Sequence, residues 1–158
     1  MRRSKPDVVE DPGACKRKAL DLLARREHSR LELERKLAAR GYSEDLIAPT
    51  LDALEASGTL ATARFTESFI RARVAKGQGP ARIRMDLAQR GVTEAEAAAL
   101  LKESGIDWAA AARAVRSKRF GASPPADFAE RAQQARFLQY RGFDSAAVRA
   151  AVNVDDAD

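Results

Sequence analysis

The chain has 158 residues, 45% hydrophobic but only 6% aromatic, with 28 basic against 23 acidic residues, a net charge of +5 and a pI of about 9.7. That length suits one domain or a few small units, and a hydrophobic set dominated by alanine favours packed helices over sheets. A single cysteine, Cys15, and a single histidine, His28, exclude an internal disulfide and argue against structural zinc; the longest stretch without Asp, Glu, Lys or Arg, Ala56–Ala63, falls far short of the roughly 20 apolar residues of a membrane span.

Residues 1–12, MRRSKPDVVEDP, show no apolar periodicity and are expected to form a disordered tail. Arg2-Arg3 is not followed by a secretory apolar region, so a cytoplasmic protein is expected. The first helix is predicted at about Gly13–Arg26 with Leu20 and Leu23 inward. Ser29 and Glu32 have the spacing of a capping box. The helix they open ends at Gly41, the left-handed residue, where Arg40 meets the negative helix end and Tyr42 folds back on Leu37. Ser43 then caps a third helix with Ile47 and Leu51 inward.

The order then repeats. A helix over about Thr62–Lys76 carries Phe65, Phe69 and Ile70. In GQGPARIRMDLAQRG (77–91), Gly79 serves as N-cap and Pro80 as the first helical residue, while Ile83 and Leu87 share a face. Gly91 ends that helix, Val92 packs back on Leu87, and Thr93 with Glu96 caps a helix carrying Ala97 and Leu101. A third series runs from an Asp107-capped helix with Trp108 and Val115, ending at Phe120, through the longer break GASPPA (121–126), to LQYRGF at 138–143. There Phe143 follows Gly142 and pairs with Leu138, and Asp144 caps a last helix with Val148 and Val152 inward. Gln134 stands where the first two series have Leu33 and Ile83, which makes the third the least regular.

Gly41, Gly91 and Gly142 lie 50 and 51 residues apart, a period typical of stacked helical repeats. The expected fold is all-α: three tandem three-helix repeats, about nine helices, at 13–58, 59–105 and 106–153, stacked into an elongated, curved array. The tails are 1–12 and the acidic 154–158. Such arrays present long surfaces for macromolecules rather than deep pockets, and each repeat alone buries too little surface for stability.

No enzyme chemistry, cofactor or metal site is expected. His28 lies between Glu27 and Ser29, but neighbours at a helix start do not face one another, and Ser29 is committed to capping. Cys15 reads as a small inert residue, and Glu94, Glu96 and Glu103 as a solvated face. GQGPAR lacks the Gly-Lys-Ser/Thr ending and preceding strand of a phosphate loop; a free helix N-terminus there could still take a phosphate, although capping explains both glycine and proline. The basic residues carry the functional signal. Arg71, Arg73, Lys76, Arg82, Arg84 and Arg90 fall within twenty residues holding one acid, Asp86, and Arg113, Arg116, Lys118 and Arg119 form a second group without any. Arg82 and Asp86, four apart, have the spacing of an internal pair, and Arg40, Arg90 and Arg141 serve their helix ends. Candidate partner-binding residues are therefore Arg71, Arg73, Lys76, Arg82, Arg84, Arg113, Arg116, Lys118 and Arg119, with solvated helix faces as the competing reading.

RLELERKLAARGY (30–42), RFTESFIRARVAKGQGPARIRMDLAQRG (64–91) and RFLQYRGF (136–143) together resemble the RecX family of regulatory proteins, over residues 14–152. Gly77-Gln78-Gly79-Pro80 matches the family's Gly-x-Gly-Pro, and Arg141-Gly142-Phe143 its terminal Arg-Gly-Phe; Ala61-Thr62 departs from the acidic residues common before Arg64-Phe65. The resemblance implies a three-repeat, nine-helix, non-enzymatic cytoplasmic protein. It also implies binding in the groove of the RecA–DNA filament, inhibiting ATP hydrolysis, strand exchange and filament growth and so modulating recombination and DNA repair. A monomer is expected, with weak direct contact to single- or double-stranded DNA left open. The alternative is an independent helical DNA-binding module, although no recognition helix rich in base-reading residues stands out.

Overall fold

The structure, a computed structural model, describes residues 10–153; most of the two expected tails, residues 1–9 and 154–158, lie outside the described residues. Among the described residues there are nine helices and no strand. They are α1 (Pro12–Arg25), α2 (Arg30–Ala39), α3 (Glu44–Ala56), α4 (Thr62–Ala75), α5 (Pro80–Gln89), α6 (Glu94–Glu103), α7 (Trp108–Phe120), α8 (Phe128–Tyr140) and α9 (Ser145–Val152).

The helix ends follow side-chain chemistry. α1 starts at Pro12, one residue before the expected Gly13, because Asp11 accepts a hydrogen bond from the Ala14 amide at 3.2 Å and Pro12 fits the first turn. Both capping boxes form: the Ser29 hydroxyl accepts from the Glu32 amide at 3.1 Å, and the Thr93 hydroxyl from that of Glu96 at 3.2 Å. Asp107 and Asp144 cap as expected. Ser43 occupies the N-cap position, but its buried hydroxyl makes no capping bond. Gly41 and Gly142 have φ of 91° and 97°, and the following residues close the turns, Tyr42 N–H donating to the Leu37 carbonyl at 3.3 Å and Phe143 N–H to that of Leu138 at 3.2 Å.

The chain divides into two compact units, with a boundary inside α4 after Ser68; Arg90–Val92 belongs with the first unit. In the first unit Cys15, Ala19 and Leu22 of α1 pack with Leu33, Leu37, Ile47, Leu51, Leu54 and Leu60. Leu20, expected inward, is exposed: the inward stripe runs through Cys15, Ala19 and Leu22 at helical spacing, so the cysteine acts as a small core residue. Arg30 ties α2 to α3, reaching Asp52 at 2.7 Å and Glu55 at 3.2 Å while holding Glu34 on its own helix at 3.0 Å. Gly91, with φ of 81°, lies against α2, where a Cβ would stand 2.9 Å from Leu31 Cβ.

His28 is 1% exposed in the same unit. Its Nδ1 lies 3.0 Å from the Arg26 carbonyl oxygen, and its Nε2 lies 2.9 Å from Lys36 Nζ. A carbonyl only accepts and an ammonium only donates, so the ring is neutral, with its proton on Nδ1. Burial, with the Arg26 and Lys36 charges adding to it, lowers the His28 pKa against the opposing Arg26 carbonyl bond and Glu32 carboxylate; burial and the Arg26 charge likewise lower that of Lys36.

In the second unit Ala112, Leu138, Phe143, Ala147, Val148, Ala151 and Val152 form a core beside Trp108 and Val115. The Trp108 and Phe143 rings meet edge to face with centroids 6.4 Å apart. The two glycines of the GQGP stretch act differently. Gly77 ends α4 with φ of 82°, and Gln78 N–H donates to the Arg73 carbonyl at 3.0 Å. Gly79 is there for space: a Cβ on it would lie 2.4 Å from the Gly142 carbonyl carbon. Reciprocally, a Cβ on Gly142 would lie 2.6 Å from the Arg82 amide nitrogen. This approach lets Gly79 N–H donate to the Arg141 carbonyl at 2.7 Å and Ala81 N–H to the Gly142 carbonyl at 3.1 Å. The first turn of α5 is thus capped by the turn between α8 and α9.

Gly79→Ala should lower stability by about 1–3 kcal/mol, since the added methyl meets backbone that cannot rotate aside. Gly13→Ala should change stability by less than about 1 kcal/mol, because Gly13 lies in α1, its nearest neighbour at 3.1 Å is the flexible tip of Arg17, and only the capping oxygen of Asp11, at 3.3 Å, must give slightly. Thermal melts of the two variants measure the contrast, and equal shifts would contradict it.

A lowered His28 pKa means that, below the ordinary value near 6.5, the unfolded chain binds a proton the folded one does not. This contribution is therefore complete above pH about 6.5 and is lost as pH falls from there toward the folded-state value. Denaturant titrations of the wild type and His28→Gln from pH 7.5 to 5.5 should show a decline in the wild type that is flattened in the variant. Parallel profiles would contradict a neutral, buried His28.

Candidate functional site

The second half of α4 carries Arg71, Arg73 and Lys76, and the three differ in what surrounds them. Arg71 is exposed, with no ion pair among the described residues. Arg73 is anchored: its guanidinium reaches Asp86 of α5 at 3.0 Å and lies 4.5 Å from the Phe69 ring centroid. Asp86, placed by helical spacing opposite Arg82, thus serves Arg73. Arg82 lies instead over the Tyr140 ring at 5.5 Å, with its Nε buried without an acceptor. Arg84 stands 3.7 Å from Glu94 at a largely exposed pair, an arrangement that contributes little to stability.

The second basic group splits as sharply. Arg116 is 4% exposed. Its Nε donates to Gln134 Oε1 at 2.8 Å and its terminal nitrogens donate to the carbonyls of Gly121 and Ser123. It pins the GASPPA segment to α7 and α8, so it is a framework residue rather than a surface cation. Gln134, polar at a core position, is explained by the same bond, since a buried guanidinium needs fixed acceptors. Arg113 is exposed and donates to the Ala150 carbonyl at 3.3 Å. Lys118 and Arg119 are exposed near the end of α7.

Lys76, Lys118 and Arg119 converge on one cavity of about 450 Å³, and a fourth cation, Arg141, joins them. Its floor is apolar, formed by Val74, Val115 and Phe137 among others. The sequence places Arg141 at its own helix end, but its Nη1 donates to the Lys76 carbonyl at 3.2 Å, at the end of α4. The same guanidinium lies 5.0 Å from the Phe137 centroid, and that of Arg119 lies 6.0 Å from it. Arg40, by contrast, does return to its own helix, donating to the Lys36 carbonyl at 3.3 Å. The Gly79 and Ala81 amides at the start of α5 are not free to bind an anion, because they already donate to the carbonyls of Arg141 and Gly142.

Among the described residues no group of three or more His, Cys, Asp or Glu could hold a metal, and no helix is long and apolar enough to cross a membrane. Nine helices in succession, with a cation-rimmed cavity in the second unit, define a helical-repeat protein among the described residues. Comparison with known proteins gives the family. Residues 15–54, 63–101 and 106–152 match, in turn, the domains described as RecX first, second and third three-helix domain. The regulatory protein RecX of Halorhodospira halophila is 51% identical over 140 residues, covering 89% of this chain and 87% of that protein. That of Pseudomonas putida is 52% identical over 136 residues, covering 86% and 87%. The crystal structure of RecX from Lactobacillus salivarius superposes with a TM-score of 0.77 at 19% identity, covering 90% of this chain and 95% of that one, and so shares the fold. The chain belongs to the RecX family of regulatory proteins.

Proposed function

We propose that this protein binds the RecA–DNA filament in the cytoplasm and inhibits its ATP hydrolysis, strand exchange and growth, and that it acts by binding rather than by catalysis. The observation that carries the reading is the succession of all three RecX domains along one chain at about 50% identity to regulatory relatives. The surface chemistry supports it. Arg71, Lys76, Lys118 and Arg119 are exposed and have no ion pair among the described residues, and a filament of phosphates and acidic protein attracts such charges. Arg73, Arg84 and Arg116 contribute less, since their charges are already engaged within the fold. Contact with DNA is secondary in this reading, and the protein acts as a monomer in its three repeats, 13–58, 59–105 and 106–153.

Added to RecA on single-stranded DNA, the protein should lower the steady-state ATPase at near-equimolar or lower amounts. The triple variant Arg71→Glu, Lys76→Glu, Lys118→Glu should need at least about tenfold more protein for the same inhibition, given about 1.4 kcal/mol lost across three charge contacts. Undiminished hydrolysis with saturating wild type would remove the regulatory reading. Equal potency of a folded triple variant would place the partner face elsewhere.

A further inference from the structure

The cavity among α4, α7 and α8 combines two chemistries that a nucleic-acid backbone does not need together. Its rim carries Lys76, Lys118, Arg119 and Arg141, and among the described residues none of the four has a carboxylate within ion-pair distance. Its floor is aliphatic and aromatic, with Val74, Val115 and Phe137. A sugar–phosphate chain would gain from the rim and nothing from the floor. A base could stack only on Phe137, whose ring already has the guanidiniums of Arg119 and Arg141 over it and Phe120 edge-on at 5.4 Å, whereas an aliphatic side chain can rest on Val74 and Val115 and meet Phe137 at its edge. A volume of about 450 Å³ lies in the range of sites that accept a compact ligand and could take a leucine-sized side chain with its neighbours.

We infer that this cavity is a docking site for an acidic protein segment that inserts one apolar side chain onto the Val74–Val115–Phe137 floor while flanking carboxylates pair with Lys76, Lys118, Arg119 and Arg141. The inference rests on the regulatory reading above and deepens it, placing protein rather than DNA at this part of the surface. The arrangement is that of an interface anchor, a buried apolar contact with a charged rim. The guanidiniums are already oriented, Arg141 by the Lys76 carbonyl and both by the aromatic rings, so less of their freedom is lost on binding.

The test uses the full chain and a fluorescent peptide, Asp-Glu-Asp-Leu-Asp-Glu-Asp, followed by anisotropy. Comparators are the same peptide with serine for leucine and an eight-nucleotide oligothymidylate. The leucine peptide should bind at least tenfold tighter than the serine peptide, and NMR shifts on titration should centre on Val74, Val115 and Phe137. Ala114→Glu and Lys118→Glu, both at exposed positions of α7, should each weaken binding by at least tenfold with an unchanged thermal midpoint. Equal binding of the two peptides, shifts centred elsewhere, unaffected binding by folded variants, or displacement of the peptide by the oligonucleotide would each overturn the inference. RecA ATPase inhibition by the same preparation keeps the two claims apart. Inhibition without peptide binding sinks the cavity proposal alone, and peptide binding without inhibition sinks the regulatory reading alone.

Discussion

Gly79 and Gly142 approach so closely that a methyl group on either would strike the other's backbone neighbourhood, and from that approach come the two hydrogen bonds that cap α5 with the carbonyls of Arg141 and Gly142. A helix start ordinarily leaves its first amides to side chains or water. Here they are spent on another turn of the chain, so the start of α5 and the turn after α8 are held by the same two hydrogen bonds. The same contact sets the neighbours: Arg82 is laid over Tyr140, and Arg141 is carried to the end of α4. Gly77 and Arg141, each next to one of the two contacting segments, both line the cavity, so the close approach lies at its edge.

Charge in this protein sorts by what the fold has already claimed. Arg30 and Arg73 bind carboxylates across helices, and Arg116 binds an amide and two carbonyls in the interior. These residues hold the helices in register and have little left for a partner. Lys76, Lys118 and Arg119 project from helix ends with nothing comparable beside them, which is why a modest net charge of +5 still yields one concentrated site.

Much of the architecture was legible in the sequence because it is local chemistry. The capping boxes at Ser29 and Thr93, the left-handed glycines at 41, 91 and 142, and the apolar pairs at helical spacing each involve residues within a few positions. What escaped is what depends on a distant partner. Gly79 does stand at the N-cap of α5, but its lack of a Cβ gains its reason only with Gly142 against it, and Asp86 reads as the partner of Arg82 at helical spacing until Arg73 arrives from the preceding helix. Arg116 looks like one more surface cation. The signal was in Gln134, a polar residue where the other repeats place leucine or isoleucine, since a buried amide at a core position calls for a polar companion. Leu20 and Leu23 alone suggest one face for α1, whereas Cys15, Ala19 and Leu22 set the buried stripe and leave Leu20 exposed.

Amide hydrogen exchange at Gly79 and Ala81 tests the backbone interlock most directly. Ala95, in the first turn of α6, is the internal comparison, because the Thr93 hydroxyl there is taken by Glu96. With the interlock formed, the Gly79 and Ala81 amides should exchange at least about a hundredfold more slowly than Ala95 and close to the interior amides of α5, since exchange then requires opening of the structure around them. Exchange of all three at the rate of free first-turn amides would contradict the account.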